Sequence, residues 1–170
     1  MRLIAVACLA VAAAACTETY QGPDLAGVWR VTSHTQNTTG CTPGDAVTDP
    51  PYLRFSEETV FGQTYYQWAP CTSPTACEMT TLGSLAYAKA IPNGYEAQAY
   101  AQSGDATACT LGATVSTAVL GDDGALTIET RVLTKTGITG TACTLAEAQA
   151  ALDAGQLACA GLEVMTAARN

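Results

Sequence analysis

Cysteine is the residue type in this chain whose number and spacing point most directly to chemistry. The chain holds eight cysteines, and their thiolates can either ligate metals or pair as disulfides. Zinc sites need closely spaced cysteine and histidine ligands, but this sequence has no Cys-x-x-Cys pair and its one histidine is His34. We therefore expect disulfides formed in an oxidising compartment, and no metal or other cofactor.

The other residues with catalytic potential lack the partners that catalysis needs. A Ser-His-Asp triad would have to use His34, and a lone histidine on a strand is more often hydrogen bonded or on the surface. Carboxylates adjoin at Glu57-Glu58 and at Asp122-Asp123, where we expect a polar turn and a hairpin turn instead of an acid/base pair or a calcium site. Nucleophile elbows, phosphate-binding loops, dinucleotide fingerprints and zinc-protease helices are absent from the sequence. We therefore expect a protein that is not an enzyme.

The first fifteen residues have the form of a secretory signal peptide. Arg2 precedes about a dozen apolar residues, a run too short for a transmembrane helix, which needs roughly 20. The next motif, Ala13-Ala14-Ala15-Cys16, resembles a bacterial lipobox, whose cysteine is lipidated and becomes the mature N-terminus. Ordinary cleavage that leaves Cys16 unmodified is the alternative. The resemblance implies a lipid-anchored envelope protein, and the polar residues up to position 24 indicate a short flexible tether after Cys16. Similarity to enterobacterial sorting signals implies the outer membrane, because Thr17 and not an aspartate follows the lipid cysteine.

Lipidation of Cys16 would also explain an odd cysteine count. Cys8 is lost with the leader, which leaves seven, and an odd number in a secreted protein needs an explanation. Without Cys16, the cysteines available for disulfides are Cys41, Cys71, Cys77, Cys109, Cys143 and Cys159. We favour Cys71–Cys77 and Cys143–Cys159, because each pair brackets one loop or one helix. Cys41–Cys109 then follows by elimination.

Alternating hydrophobicity and turn signals predict an all-β fold over residues 25–170. Two of the hairpin turns are expected at Pro92-Asn93-Gly94 and at 121–124. One helix is expected over 145–154, capped by Thr144 and Gly155, with an apolar stripe along Leu145, Ala148 and Leu152. We expect a small antiparallel barrel or sandwich of about eight strands, with this short helix before the last one.

The first strand, expected over 25–34, carries Gly27-Val28-Trp29. Simple alternation places Trp29 on one face and His34 on the other. A Gly-x-Trp that opens a first strand resembles the lipocalins, in which the tryptophan plugs the closed end of a barrel. That resemblance implies that Trp29 floors a barrel and that Arg169, a basic residue at the end of the last strand, covers it. Trp68 is expected beside them in the interior, and a plain core role for Trp29 is the alternative.

Composition and charge narrow the function. Seven Lys and Arg against fifteen Asp and Glu give a formal charge of −8, which argues against nucleic acid as a partner. We expect a cell-envelope binding module for a small apolar ligand or an envelope protein, attached to the membrane by its lipid anchor. A structural lipoprotein without a ligand is one alternative. A periplasmic protease inhibitor is another, because small bacterial metalloprotease inhibitors also open on Gly-x-Trp.

Overall fold

A computed structural model of the chain describes residues 22–60, 62–79, 85–105, 107–139 and 143–170. The predicted leader and the lipidation residue Cys16 lie outside these ranges. In chain order the elements are β1 (Gly27–Asn37), β2 (Asp45–Ala46), β3 (Tyr52–Val60), β4 (Gln63–Ser73), β5 (Ala76–Cys77), β6 (Lys89–Ile91), β7 (Gly94–Asp105), β8 (Ala108–Leu120), β9 (Leu126–Ile138), α1 (Leu145–Asp153) and β10 (Ala158–Arg169).

The strands form one antiparallel sheet in the order β5-β4-β3-β1-β10-β9-β8-β7-β6, and β2 pairs with β1. Over the described residues this ladder is an open path. An isolated bridge joins Tyr66 of β4 to Tyr87, just before β6, through two backbone hydrogen bonds of 3.2 and 2.9 Å. The antiparallel β class and the helix before the last strand are confirmed. The count of about eight strands was too low, because β2 and β5 are two-residue strands too short to show alternation.

One face of the sheet, which we call the core face, carries the main apolar cluster. Its largest side chains include Trp29 at 1%, Phe55 at 2% and Tyr87 at 0% exposure. Strands β1, β3, β4, β7, β8, β9 and β10 all contribute buried residues to the same cluster. Burial of large aromatic and aliphatic side chains is the main stabilising contribution in a sheet of this size.

A β-bulge in β1 changes which residues share its core face. The β1–β10 register passes directly from Val31–Ala167 to Ser33–Thr166, so Thr32 is the extra residue. One inserted residue reverses the alternation beyond it. His34 therefore lies on the same face as Trp29 and is 8% exposed, which corrects the predicted placement on the opposite face.

The helix packs on the other face of the sheet. In β8, Ser116 and Ala118 are buried on the core face, whereas Cys109 and Leu111 belong to the alternate set and pack with α1. The residues of α1 that face this second cluster are Ala148 and Ala151. The predicted stripe is therefore wrong at Leu145, which is 53% exposed, because small side chains allow α1 to lie closer to the strand.

Two segments predicted as turns or loops are strands. Glu57 and Glu58, expected in a polar turn, pair with Tyr66 and Tyr65 inside the β3–β4 hairpin. The proline-rich segment after Trp68 continues β4 to Ser73 and then returns as β5. Pairing with a neighbouring strand outweighs the low strand propensity of glutamate and proline at these positions.

The three disulfides are Cys41–Cys159, Cys71–Cys77 and Cys109–Cys143. Cys71–Cys77 is confirmed, whereas the predicted pairs Cys143–Cys159 and Cys41–Cys109 are wrong. A helix of this length separates its two ends by about 13 Å, so the cysteines that bracket α1 bond elsewhere. Cys143 joins β8 beneath the helix, and Cys159 reaches the loop after β1 because β1 and β10 are paired.

Candidate functional site

Trp29 and Arg169 close one end of the core face. The Trp29 indole Nε1–H donates to the carbonyl oxygen of Leu25 at 3.0 Å, and the ring is 1% exposed. The guanidinium carbon of Arg169 lies 4.8 Å from the ring centroid, and its Nη2 donates to the Asp24 carbonyl oxygen at 3.0 Å. The Trp29 end of the sheet is thus covered by the last strand and by the segment that leads into β1.

Towards the other end of the strands, the side chains on the core face change from apolar to polar between two neighbouring cross-strand rows. One cross-strand row holds Met165 and Ile128, and the next holds Glu163 paired with Thr130 on one side and Gln36 on the other. Thr130 is in turn opposite Ser116 of β8. Directly opposed residues of antiparallel strands point to the same side, so these polar side chains form a continuous row across four strands.

His34, which is opposite Met165 in the neighbouring row, contacts this polar row through Glu163. Its Nε2 lies 2.8 Å from Oε1 of Glu163, and its Nδ1 lies 2.7 Å from the carbonyl oxygen of Asp49. A carbonyl oxygen only accepts hydrogen bonds, so Nδ1 carries a proton and donates it to Asp49. The Glu163 carboxyl is 29% exposed, which leaves part of this group facing solvent.

A chain of hydroxyl groups connects the apolar core with the same row. The Tyr87 hydroxyl lies 2.7 Å from Oγ of Ser116, which lies 2.7 Å from Oγ1 of Thr130. Burial raises the pKa of Tyr87, although hydrogen bonds with Ser116 and Trp68 partly oppose that change. The buried hydroxyls are therefore satisfied by each other, as buried polar groups must be.

A groove of about 320 Å³ opens at this polar end of the sheet. Its walls combine carbon-rich and polar residues from β1, β9 and β10: Gln36, Asn37, Thr130, Val132, Gly161 and Glu163. A Cβ added to Gly161 would lie 3.2 Å from the Asn37 carbonyl oxygen and 3.7 Å from Cβ of Val132. The missing side chain at Gly161 therefore leaves this space open, and Val132 is 43% exposed beside it.

The residues expected to line a binding site do not line this groove. Trp29 and Arg169 lie at the opposite end of β1 and β10. Trp68 is half-buried, packs against the core cluster, and is paired with Phe55. One sequence signal could have located the groove. The charged Glu163 shares one face of the last strand with the apolar residues Met165 and Ala167, and so marks the point where that face becomes polar.

The described part of the chain contains no group of three His, Cys, Asp or Glu residues placed to hold a metal ion. Its one helix is too short and too polar to cross a membrane, and no other helix appears in those ranges. Comparison with protein-family models, with curated proteins and with solved structures found no match to this chain.

Proposed function

We propose that this chain is an exported cell-envelope lipoprotein whose β-domain is a non-catalytic binding module. The three disulfides support an oxidising compartment. The short apolar leader and the Ala13-Ala14-Ala15-Cys16 motif support export and attachment through a lipid on Cys16. The tether that follows would then reach the domain at Asp24, which hydrogen bonds to Arg169 at the Trp29 end.

The body of the module is, in this proposal, a lipocalin-like barrel of eight strands. The Tyr66–Tyr87 bridge supports this, because it brings the segment before β6 against β4. Setting aside the two-residue strands β2 and β5, eight strands remain between these two ends. The core cluster, drawn from both ends of the strand order, supports the same closure.

The observation that carries the binding role is the open groove at the polar end of a core face that is otherwise filled. Its volume of about 320 Å³ lies within the range of small-molecule sites, which is about 300–1,000 Å³. Val132 and Ala160 offer apolar surface, while Glu163 and Gln36 offer hydrogen-bonding groups. The ligand class that fits is a small, largely apolar molecule with one or two polar groups, or a short apolar segment of an envelope protein.

A fluorescence titration tests this role. The neutral apolar dye N-phenyl-naphthylamine should gain fluorescence on binding to the wild-type chain. Val132→Trp should abolish the gain by filling the groove, whereas Leu145→Trp should retain it. Both positions are partly exposed apolar residues, and Leu145 lies on α1, away from the groove. Equal dye binding by both variants would reject the groove as the site.

A structural envelope lipoprotein without a ligand is the second candidate, and the filled core favours it. Leu53, Leu126 and Met165 are each 0% exposed within the core cluster, so no ligand-sized space remains around them. In that case neither the dye nor a panel of other apolar probes would bind the wild-type chain.

The anchor can be tested separately from the groove. Cys16→Ser should leave the mature protein without a lipid, so that it is released from the membrane fraction and its N-terminal mass changes. An unchanged mass and unchanged membrane association would reject lipidation and leave the binding role untouched.

A further inference from the structure

The outer face of β1 and β3, on the side away from the core, carries two arginines beside each other. In the register, Val28 is opposite Arg54 and Arg30 is opposite Tyr52. Arg30 and Arg54 are therefore diagonal neighbours, with side chains starting roughly 7–8 Å apart. Arg30 is exposed and Arg54 is half-buried.

The other cationic side chains of the described ranges all have acceptors. Lys89 bonds to Glu96 at 3.0 Å, and Arg131 bonds to Glu129 at 2.6 Å. Lys135 donates to Gln156, and Arg169 donates to the carbonyl oxygen of Asp24.

Arg30 and Arg54 differ from these cations. Within the described residues, neither guanidinium forms an ion pair, and Nε of Arg54 is buried without a hydrogen-bond partner. A buried donor without an acceptor is costly and calls for a ligand, water or ion. Two like charges side by side also repel each other, and an anion placed between them would relieve that repulsion.

We propose that Arg30 and Arg54 form a phosphate-binding site on the outer face of the sheet. Guanidinium groups present planar pairs of N–H donors that match the oxygens of phosphate. Tyr52, half-buried, lies opposite Arg30 and two residues from Arg54 on the same face of β3, and its hydroxyl makes no hydrogen bond to another described residue. In a chain of net charge −8, such a site recruits an anion by local geometry and not by overall attraction.

Along β3 itself, the nearest acidic residue on the same face leaves room for the anion, whereas Asp49 and Glu78 line a pocket with Cys71, the residue opposite Tyr52. Glu58 is on the same side of β3 as Arg54, four residues further along the strand, which corresponds to about 13 Å. On the adjacent strand β4, the residues opposite Tyr52 and Arg54 are Cys71 and Ala69, neither of which carries a charge. The phosphate could be free or belong to a lipid headgroup, because both present the same oxygens.

The test is a titration of the full chain with inorganic phosphate, and in parallel with glycerol phosphate as a headgroup analogue, at constant ionic strength. Nitrogen-15 NMR signals of the arginine Nε–H groups report the site directly. Saturable shifts at Arg30 and Arg54 are expected, and Arg30→Gln or Arg54→Gln should weaken binding by about tenfold. Arg131→Gln is the matched control, since its partner Glu129 already occupies the guanidinium.

The outcomes separate the sources of the phosphate. Tighter binding of glycerol phosphate than of inorganic phosphate would support a lipid headgroup, and equal binding would support free phosphate. The absence of saturable shifts with either probe would overturn the proposal, as would equal weakening by Arg131→Gln. Thermal unfolding of each variant shows that lost binding is not lost folding.

Discussion

Nε2 of His34 and Oε1 of Glu163 lie 2.8 Å apart across the paired strands β1 and β10. Nδ1 of His34 donates to the Asp49 carbonyl oxygen, so both ring nitrogens of this buried side chain have a polar partner. Through this one side chain, β1, β10 and the loop before β3 are tied together at the base of the groove. The bulge at Thr32 makes the contact possible, since without it His34 would point away from the core.

Removing Glu163 should be more destabilising than removing an exposed carboxylate. Glu163→Ala leaves Nε2 of the buried His34 without its partner, which should cost about 1–3 kcal/mol in the free energy of unfolding. Glu129→Ala, which removes an ion pair with the 55% exposed Arg131, should cost roughly 0–1 kcal/mol. Urea denaturation measures both, and a double-mutant cycle with His34→Ala should show non-additivity. Equal costs for the two alanine variants would contradict this account.

Arg169 should stabilise the Trp29 end by a modest amount. Its guanidinium lies over the indole ring and also donates to Asp24. An exposed cation–π contact contributes about 0.5–1 kcal/mol, so Arg169→Leu should lose that much while keeping part of the apolar stem. Tryptophan fluorescence during chemical unfolding gives both the stability and the environment of the ring. A variant as stable as the wild type would contradict the prediction and show that Arg169 lies over the ring without stabilising the fold.

The buried tyrosines should make the fold sensitive to alkali. Burial raises the pKa of Tyr87 above its usual value of 10.0, and burial together with the nearby Tyr95, Glu57 and Asp24 raises that of Tyr66. Below pH 10 both phenols are protonated in the folded and unfolded states, and their contribution to stability is fully present. Above pH 10 the unfolded chain loses these protons first, so stability should fall as the pH rises.

Denaturation curves across this pH range, with phenolate absorbance as a second signal, measure the effect. Tyr87→Phe should reduce the alkaline loss of stability, although it sacrifices the hydrogen bond to Ser116 at neutral pH. An unchanged pH dependence in that variant would indicate that Tyr87 titrates normally.

The contribution of each disulfide to stability should increase with the length of chain that it closes. The separations are 118 residues for Cys41–Cys159, 34 for Cys109–Cys143 and 6 for Cys71–Cys77. The loop-entropy model gives about 5, 4 and 2 kcal/mol for these three. Paired Cys→Ser variants, compared by thermal unfolding, should follow that order. Non-reducing peptide maps should link Cys109 to Cys143, and a fragment linking Cys143 to Cys159 would contradict the structure.

Local features of the fold could be predicted from the sequence. Asn93 has φ +56° in its predicted turn, the Thr144 hydroxyl caps α1 by accepting from the Glu147 N–H at 3.3 Å, and Gly155 has φ +64° after the helix. Each depends on residues within a few positions of one another. The Cys71–Cys77 pair was predictable for the same reason.

Features that depend on distant pairing were not predictable in this way. The bulge at Thr32 has no glycine or proline to signal it, yet it decides the face on which His34 lies. The partners of Cys41 and Cys143 follow from the docking of β10 on β1 and of α1 on β8. The groove is assembled from β1, β9 and β10, so its members share no common stretch of sequence.

The Cys41–Cys159 bond has a consequence for what proteolysis does to the molecule. It links the chain just after the first strand with the start of the last strand, and all of the connecting loops from β2 to β10 lie between these two points. A protease that cuts any one of those loops therefore leaves both pieces covalently attached. A nicked molecule keeps its full mass until it is reduced, and its strands remain aligned to pair again.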